Sequence, residues 1–219
     1  MTIIPATIVD NFFDNPNSIV NWGLSLDYKS DPTNKWPGKR TENLKLIHPY
    51  FHDYVCNKVL SLFFENKVEY DIALTFQLLE NYQGKGWIHQ DPGVFTFIIY
   101  LSEENPKIDC GTTLWSLNPN LISPINSDKD YYALTSRLEH HEIKKLDNNN
   151  QDLFYKNHKK ELLIPDKFNR LLAFSSDHLH SANNLNNGSP FRLTLTGFVN
   201  KLNTSKLPII RSKQTLLIP

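Results

Sequence analysis

The feature that most constrains the fold of this chain is a set of two histidines and one aspartate with the spacing of metal ligands. His89 and Asp91 are separated by one residue, and His180 follows much later. Residues two apart on a β-strand point to the same face, so His89 and Asp91 can bind one ion from a single strand. Two imidazoles and a carboxylate on one side of a metal leave the opposite positions open, as in non-haem ferrous sites. The spacing therefore predicts a β-structure that brings a distant histidine beside one short strand.

The segments around these residues have the composition of strands. They are rich in β-branched and aromatic residues and are bounded by turn formers such as the glycines at 84 and 86. The strand-like segments are 3–13, 75–82, 95–102, 110–115, 170–175 and 191–196. Two helices are predicted over residues 18–26 and 49–66, the second from apolar residues at three- and four-residue spacing, and residues 28–43 are predicted to be a loop. The fold class predicted is mainly β with flanking helices (α+β).

An arginine on the last predicted strand adds a second requirement. Arg192, Thr194 and Thr196 share one face of that strand, while Leu193 and Leu195 share the other. Burying a guanidinium in an apolar strand is costly unless an anion meets it. A carboxylate ligand is the favoured partner, and a structural Arg–Glu pair is the alternative.

Taken together, the motifs between Tyr82 and Phe198 resemble those of the Fe(II)/2-oxoglutarate-dependent dioxygenases, most closely the prolyl-hydroxylase-like branch. The resemblance covers about the last two-thirds of the chain. One departure is Cys110, which stands where that branch has the first glycine of a Gly-Gly turn. The motifs that carry the resemblance are Tyr82, His89-x-Asp91, Tyr100-Leu101, Cys110-Gly111-Thr112-Thr113, Arg170-Leu171-Leu172, His180 and Arg192.

The resemblance implies a double-stranded β-helix (jelly-roll, cupin-like) core supported by N-terminal helices. It also implies Fe(II) as the metal, 2-oxoglutarate as the cosubstrate and O2 as the oxidant. The iron ligands would be His89, Asp91 and His180. The carboxylate of 2-oxoglutarate would be bound by Arg192, Tyr100 and Thr196, with Tyr82 and Gln77 helping to orient it. An intact Asp91 favours hydroxylation, because halogenating relatives lack this carboxylate.

Other histidines compete for the metal. His178 lies two residues before His180 and shares its face if the segment is extended. The family places its ligand directly after an apolar residue, which selects His180 after Leu179, and His178 remains the alternative. His140 and His141 lie in a charged segment and are interpreted as solvated surface. Trp87 is expected near His89, either as a wall of the substrate site or as packing.

Composition excludes several classes of function. The chain has 219 residues with 23 basic and 23 acidic side chains. Because no basic stretch is interleaved with aromatics, nucleic acid is an unlikely partner. Two cysteines do not make a disulfide framework, and no basic, apolar leader begins the sequence, so we expect a cytoplasmic protein without a membrane span.

The chain is predicted to be a single domain of residues 1–219. Residues 1–66 would form the N-terminal strand and supporting helices, 67–200 the core, and 201–219 a C-terminal extension. Residues 117–166 are the least regular part of the core and contain an asparagine run. Their position between the two halves of the metal site predicts either a substrate lid that gains order with substrate or a surface insertion.

Three functions follow from these expectations. The favoured one is hydroxylation of an unidentified substrate, either a peptidyl side chain such as proline or a small metabolite. The second is nucleic-acid demethylation within the same superfamily. Such demethylases carry another arginine six residues after the first, where this chain has Phe198. The third is a non-catalytic β-helix that serves as a binding or structural module. The presence of both Asp91 and Arg192 argues against this third function.

Overall fold

The fold is described for residues 6–32, 37–80, 86–103, 110–117, 155, 158–184 and 190–204 of a computed structural model. The helices within these ranges are α1 Pro16–Leu24, α2 Leu44–Ile47 and α3 Pro49–Leu60. The strands are β1 Thr7–Val9, β2 Tyr28–Ser30, β3 Lys39–Thr41, β4 Glu69–Glu80, β5 Phe95–Tyr100, β6 Gly111–Leu117, β7 His158–Pro165, β8 Arg170–Ser175, β9 Leu179–Ala182 and β10 Phe191–Asn203.

These strands form two antiparallel sheets. The larger has seven strands in the order β1-β8-β5-β10-β4-β3-β2, and the smaller has three in the order β7-β6-β9. Chain neighbours rarely pair in the larger sheet, since β10 lies between β4 and β5 and β8 lies between β1 and β5. The predicted jelly-roll core with supporting helices is confirmed.

The helices cover the outer face of the seven-stranded sheet. Asn15 caps α1 by accepting a hydrogen bond from Ser18 N, and Pro16 occupies the first turn, where it displaces no hydrogen bond. Alternate residues of the central strands, such as Phe76, Phe97 and Leu195, are fully buried against the helices in the main hydrophobic core. This packing against the helices supports the central strands on their outer face.

The inner face of the seven-stranded sheet meets the smaller sheet. A second apolar cluster joins the two sheets, with Ile98 packed against it; its members are Tyr100, Leu114, Ile164, Leu172 and Phe174. Thr96 on β5 and Arg192, Thr194 and Thr196 on β10 lie on the same inner face and are also buried. The space between the sheets is therefore apolar in one part and polar in another.

Gly111 makes the turn into β6 possible. Its φ is +138°, and a Cβ there would collide with the backbone oxygen of Ile164. A side chain is excluded on both grounds. The glycine of the Cys110-Gly111 turn thus lets β6 approach β7 closely, whereas the preceding position tolerates a buried cysteine.

Some element boundaries differ from the sequence prediction. The predicted loop 28–43 contains β2 and β3, which pair with each other and extend the sheet beyond β4. Three-residue strands are too short to display an alternation pattern, so their pairing partner decides their structure. The second long helix ends at Leu60 rather than at residue 66, and β10 runs three residues into the predicted C-terminal extension.

Part of the predicted irregular segment 117–166 is regular. Residues 158–165 form β7, which pairs with β6 from Gly111↔Pro165 to Leu117↔His158. Residues 118–154, 156 and 157 lie outside the described part of the chain. The lid and the surface insertion therefore both stay as predictions.

Candidate metal centre

The two histidines of the predicted triad are direct cross-strand neighbours. His89 N donates to His180 O and His180 N donates to His89 O, each at 2.9 Å. His89 belongs to an isolated bridge, whereas His180 lies on β9. Their ring centroids are 4.3 Å apart. The backbone pairing thus brings residues far apart in sequence together as two candidate ligands of one ion.

Both imidazoles are oriented by backbone carbonyls. His89 Nδ1 lies 2.7 Å from Trp87 O, and His180 Nδ1 lies 2.9 Å from His178 O. A carbonyl only accepts, so each Nδ1 carries a proton, and each Nε2 presents a lone pair when the imidazole is neutral. This is the way metal-binding histidines are usually held.

Asp91 completes the cluster. Its carboxylate oxygens lie 3.6 Å from His89 Nε2 and 3.2 Å from His180 Nε2. One ligand atom from each of the three residues falls within 4.8 Å of the other two. Thr96 Oγ1 donates to Asp91 Oδ2 at 2.7 Å, and Asp91 N donates to Ser176 O. The carboxylate is thereby fixed from β5 as well as from its own backbone.

The triad is strongly coupled electrostatically. Burial opposes ionisation of Asp91, but the adjacent His180 and His89 outweigh it and hold the pKa of the carboxyl well below its usual value. Burial likewise opposes a charge on His89, but the hydrogen bond to Asp91 and its charge raise the pKa of His89. A carboxylate held ionised beside two imidazoles attracts a cation, and a divalent metal can take the place of the protons.

Arg192 is buried deeper in the same space. Its side chain is 7% exposed, and Nε lies 4.0 Å from Asp166 Oδ2. Its guanidinium carbon lies 5.8 Å from the centroid of the Tyr100 ring. Within the described part of the chain, Arg192 Nε has no hydrogen-bond partner. A buried donor of this kind is ready to bind an acceptor supplied by a ligand.

The hydroxyls predicted to assist Arg192 lie on the same inner face. Tyr100 Oη donates to Thr112 Oγ1 at 2.7 Å, and burial raises the pKa of Tyr100 to about 12, so it stays a neutral donor. Thr196 Oγ1 lies 3.4 Å from Thr194 Oγ1. Gln77 pairs with Thr194 across the sheet, but its amide nitrogen donates to Pro37 O.

The remaining sequence candidates divide into three groups. The side chain of His178 is exposed, which agrees with the choice of His180 as the ligand. Trp87 is half-buried and supplies the carbonyl that orients His89. Tyr82, His140 and His141 lie outside the described residues.

Three residues of the site were missed in the sequence. Thr96 holds Asp91, Asp166 faces Arg192, and Arg40 on β3 interacts electrostatically with Asp91 and His89. Only Thr96 has a local signal, because it shares the period-two face of β5 with Tyr100. Asp166 and Arg40 reach the site through sheet pairing and packing, which no local pattern encodes.

Comparison with known proteins places the chain in a family. Residues 3–199 match DUF6445, described as a family of unknown function. The chain belongs to the DUF6445 family. No curated protein matches the sequence.

Solved structures show what fold this DUF6445 protein has. HygX from Streptomyces hygroscopicus, with nickel and 2-oxoglutarate bound, has a TM-score of 0.52 at 10% identity over 90% of this chain and 83% of HygX. The epimerase SnoN in complex with Fe3+, alpha-ketoglutarate and nogalamycin RO has a TM-score of 0.53 at 11% identity over 88% and 77%. A prolyl hydroxylase from Trichoplax adhaerens, in complex with a hypoxia inducible factor peptide fragment, has a TM-score of 0.50 at 16% identity over 89% and 83%. The predicted resemblance to Fe/2-oxoglutarate oxygenases is confirmed as a likeness of fold.

The helices of the described residues can be compared with the requirements for crossing a membrane. None of them has both the length and the apolar character that a membrane-spanning helix requires.

Proposed function

We propose that this DUF6445 protein is an Fe(II)- and 2-oxoglutarate-dependent oxygenase that hydroxylates a substrate. The single observation that carries the proposal is the His89–Asp91–His180 cluster, whose Nε2 and carboxylate atoms converge within 4.8 Å. The oxygenase fold of its structural neighbours supports the same kind of reaction. At 10–16% identity these neighbours do not transfer a substrate.

The donor set fits ferrous iron. Two neutral imidazoles and one carboxylate form the facial set that leaves positions open for further ligands, and no cysteine belongs to it. When bound, iron with 2-oxoglutarate and O2 supplies the oxidative decarboxylation that yields succinate and CO2 and oxidises the substrate. The residues of the chain orient the ligands and shield the reacting atoms from water.

The inner face also fits 2-oxoglutarate. A guanidinium binds a carboxylate through a planar fork, and the buried, hydrogen-bond-deficient Nε of Arg192 offers one of its donors. Thr196 would donate to the same carboxylate, with Thr194 beside it. The neutral phenol of Tyr100 would also donate once it exchanges its hydrogen bond to Thr112 Oγ1. Gln77 would orient the cosubstrate only if its amide exchanges the hydrogen bond to Pro37 O. A role for Tyr82 rests on the motif resemblance alone.

The substrate class is less constrained than the cosubstrate. The neighbours include a protein bound to a peptide fragment, one bound to nogalamycin RO and another bound to hygromycin B. We therefore keep a peptidyl side chain such as proline and a small metabolite as candidates. Nucleic-acid demethylation has less support, because Phe198 occupies the position of the second arginine.

The deciding experiment measures 2-oxoglutarate turnover. Purified protein loaded with Fe(II) is expected to form succinate only when both O2 and 2-oxoglutarate are present, and a screen of peptides and metabolites should raise that rate. Asp91→Ala should abolish succinate formation, whereas His178→Ala, an exposed neighbour, should retain it. A wild-type protein that binds Fe(II) and 2-oxoglutarate yet forms no succinate with any screened compound would favour the non-catalytic binding module.

A further inference from the structure

A second arginine, half-buried, lies on the same inner face as the metal centre. Arg40 on β3 pairs with Gln77 on β4, which in turn pairs with Thr194 on β10. Directly paired residues of an antiparallel sheet point to the same side. The Arg40 side chain therefore enters the space that holds the metal ligands from β3, on the far side of β4 from β10.

The guanidinium of Arg40 extends away from Arg192. Its carbon lies 5.3 Å from the centroid of the Phe198 ring, and Phe198 pairs with Ala73 and Thr96. Since Arg40 starts at the level of Gln77, its side chain crosses β4 in the direction of Ala73 and passes Thr75. The two arginines thus approach the metal ligands from different directions.

Electrostatics agree with this geometry. Burial lowers the pKa of Arg40 to about 10, while the charges of Asp91 and Asp31 oppose that lowering. Arg40 stays protonated at neutral pH, so the space beside Asp91 contains a permanent cation. Removing water from a guanidinium is costly, and an anion that binds there recovers part of that cost.

Thr75 provides an independent observation at the same place. It pairs with Thr196 and therefore also lies on the inner face. Its Oγ1 is buried and makes no hydrogen bond to any described residue. A buried hydroxyl without an acceptor, on the strand that the Arg40 side chain crosses, can donate to a ligand that also contacts the guanidinium.

We propose that Arg40 and Thr75 bind a carboxylate of the primary substrate, placing the substrate beside the metal while Arg192 holds the cosubstrate. A single planar guanidinium matches the charge and the two oxygens of a carboxylate. The Phe198 ring next to Arg40 would contact the apolar part of the same molecule. This inference rests on the proposed function and assigns the substrate to the carboxylic acids.

The test uses protein loaded with Mn(II) in place of iron, under argon and with saturating 2-oxoglutarate. Paramagnetic broadening of NMR signals then reports which small molecules bind near the metal. The probes are matched pairs, L-leucine with L-leucinamide and acetate with acetamide, together with a blocked peptide containing one aspartate and with inorganic phosphate. We expect broadening of the carboxylates but not of the amides. Stronger broadening of leucine than of the peptide identifies a free acid, and the reverse identifies an acidic side chain.

The variants assign the effect to Arg40. Arg40→Gln should weaken carboxylate binding about tenfold or more, Arg40→Lys should restore part of it, and Thr75→Val should weaken it about threefold. Lys39→Gln, which removes an adjacent exposed cation paired with Glu80, is the control and should bind as wild type does. Mn(II) and 2-oxoglutarate affinities are measured for every variant.

Each outcome has a defined meaning. Equal broadening of acids and amides, broadening by phosphate alone, or unchanged broadening in Arg40→Gln overturns the inference. So does loss of Mn(II) affinity in both Arg40→Gln and Thr75→Val, because that would make the pair a support of the metal site. If 2-oxoglutarate does not bind but carboxylates still depend on Arg40, the carboxylate site stands and the proposed cosubstrate fails.

Discussion

Arg192 and Asp166 form a buried ion pair, with 4.0 Å between Arg192 Nε and the Asp166 carboxylate. The sequence had offered two partners for Arg192, a cosubstrate carboxylate or a structural acid, and the structure brings an acid beside it. A carboxylate ligand that binds Arg192 must then share the guanidinium with Asp166. This pair makes Asp166 a natural site for adjusting cosubstrate affinity.

Replacing Asp166 by Asn should therefore strengthen 2-oxoglutarate binding. Removal of one negative charge about 4 Å from the guanidinium relieves repulsion of the incoming carboxylate, and we expect a gain of up to about tenfold in affinity. Calorimetric titration of the Mn(II)-loaded protein with 2-oxoglutarate under argon measures this affinity. Asp10→Asn is the matched control, because Asp10 also pairs with an arginine, Arg170, but at the surface. Weaker binding in Asp166→Asn would mean that Asp166 orients Arg192 for the ligand.

Replacing Arg192 by Ala should raise the 2-oxoglutarate requirement. The loss of a buried, charge-assisted partner costs on the order of 2–4 kcal/mol, or tens to hundreds of fold in affinity. Arg192→Lys should restore only part of the lost 2-oxoglutarate affinity, because the point charge of an ammonium cannot reproduce the planar pair of guanidinium donors. Metal affinity, measured in parallel, should be largely unchanged. Unchanged cosubstrate affinity in the alanine variant would assign Arg192 to a structural role with Asp166.

Replacing His180 by Ala should abolish high-affinity metal binding. His180 supplies one of three converging ligand atoms, and its loss should weaken binding by more than the roughly 10–100-fold typical of a supporting residue. Co(II) absorption titration provides the measurement. His178→Ala should bind as wild type does, since the hydrogen bond to His180 uses the backbone carbonyl of residue 178 and not its side chain. The opposite result would exchange the roles of the two histidines.

Replacing Thr96 by Val should weaken metal binding without unfolding the protein. The substitution keeps the shape of the side chain but removes the hydroxyl that donates to Asp91 Oδ2 at 2.7 Å. Loss of such a supporting hydrogen bond typically costs about 10–100-fold in metal affinity. Thr96→Ser retains the hydroxyl and should stay close to wild type. If both variants bind metal equally well, the Thr96 hydroxyl does not position Asp91.

The ion pair of Asp10 should make stability depend on pH. The hydrogen bond from Arg170 lowers the pKa of Asp10 to about 2. Because the folded-state pKa lies below that of the unfolded chain, the pair stabilises the fold above about pH 4, and this contribution is lost as the pH falls towards 2. Asp10 is about one-third exposed, so we expect about 1 kcal/mol at most.

Urea unfolding of wild type and Asp10→Asn at pH 7 and pH 3 checks this expectation. The difference in the free energy of unfolding should be present at pH 7 and smaller at pH 3. Glu42→Gln, which removes an exposed partner of Lys29, serves as the control and should show little difference at either pH. A difference that is equal at both pH values would show that the Asp10 carboxylate charge is not its source.

The sequence by itself determined the parts of this protein that depend on local chemistry. His89 and Asp91 are recognisable as candidate ligands because their types and their spacing of two agree with the strand context around them, and Arg192 is recognisable because a buried guanidinium needs an anion. Alternation along β10 indicated which of its residues face inward. The mainly β fold class followed from the strand-like segments, and the jelly-roll core followed from the family resemblance.

Tertiary structure alone decided which distant residues meet. The mutual hydrogen bonds between His89 and His180, the pairing of β3 with β4 that brings Arg40 to the metal ligands, and the approach of Asp166 to Arg192 all join residues far apart in sequence. Such contacts depend on strand order and register, which the hydrophobic pattern of one segment does not specify. The short strands β2 and β3 illustrate the same limit, since three residues show no alternation. β3 forms a strand because β4 offers an edge, and β2 forms one because β3 does.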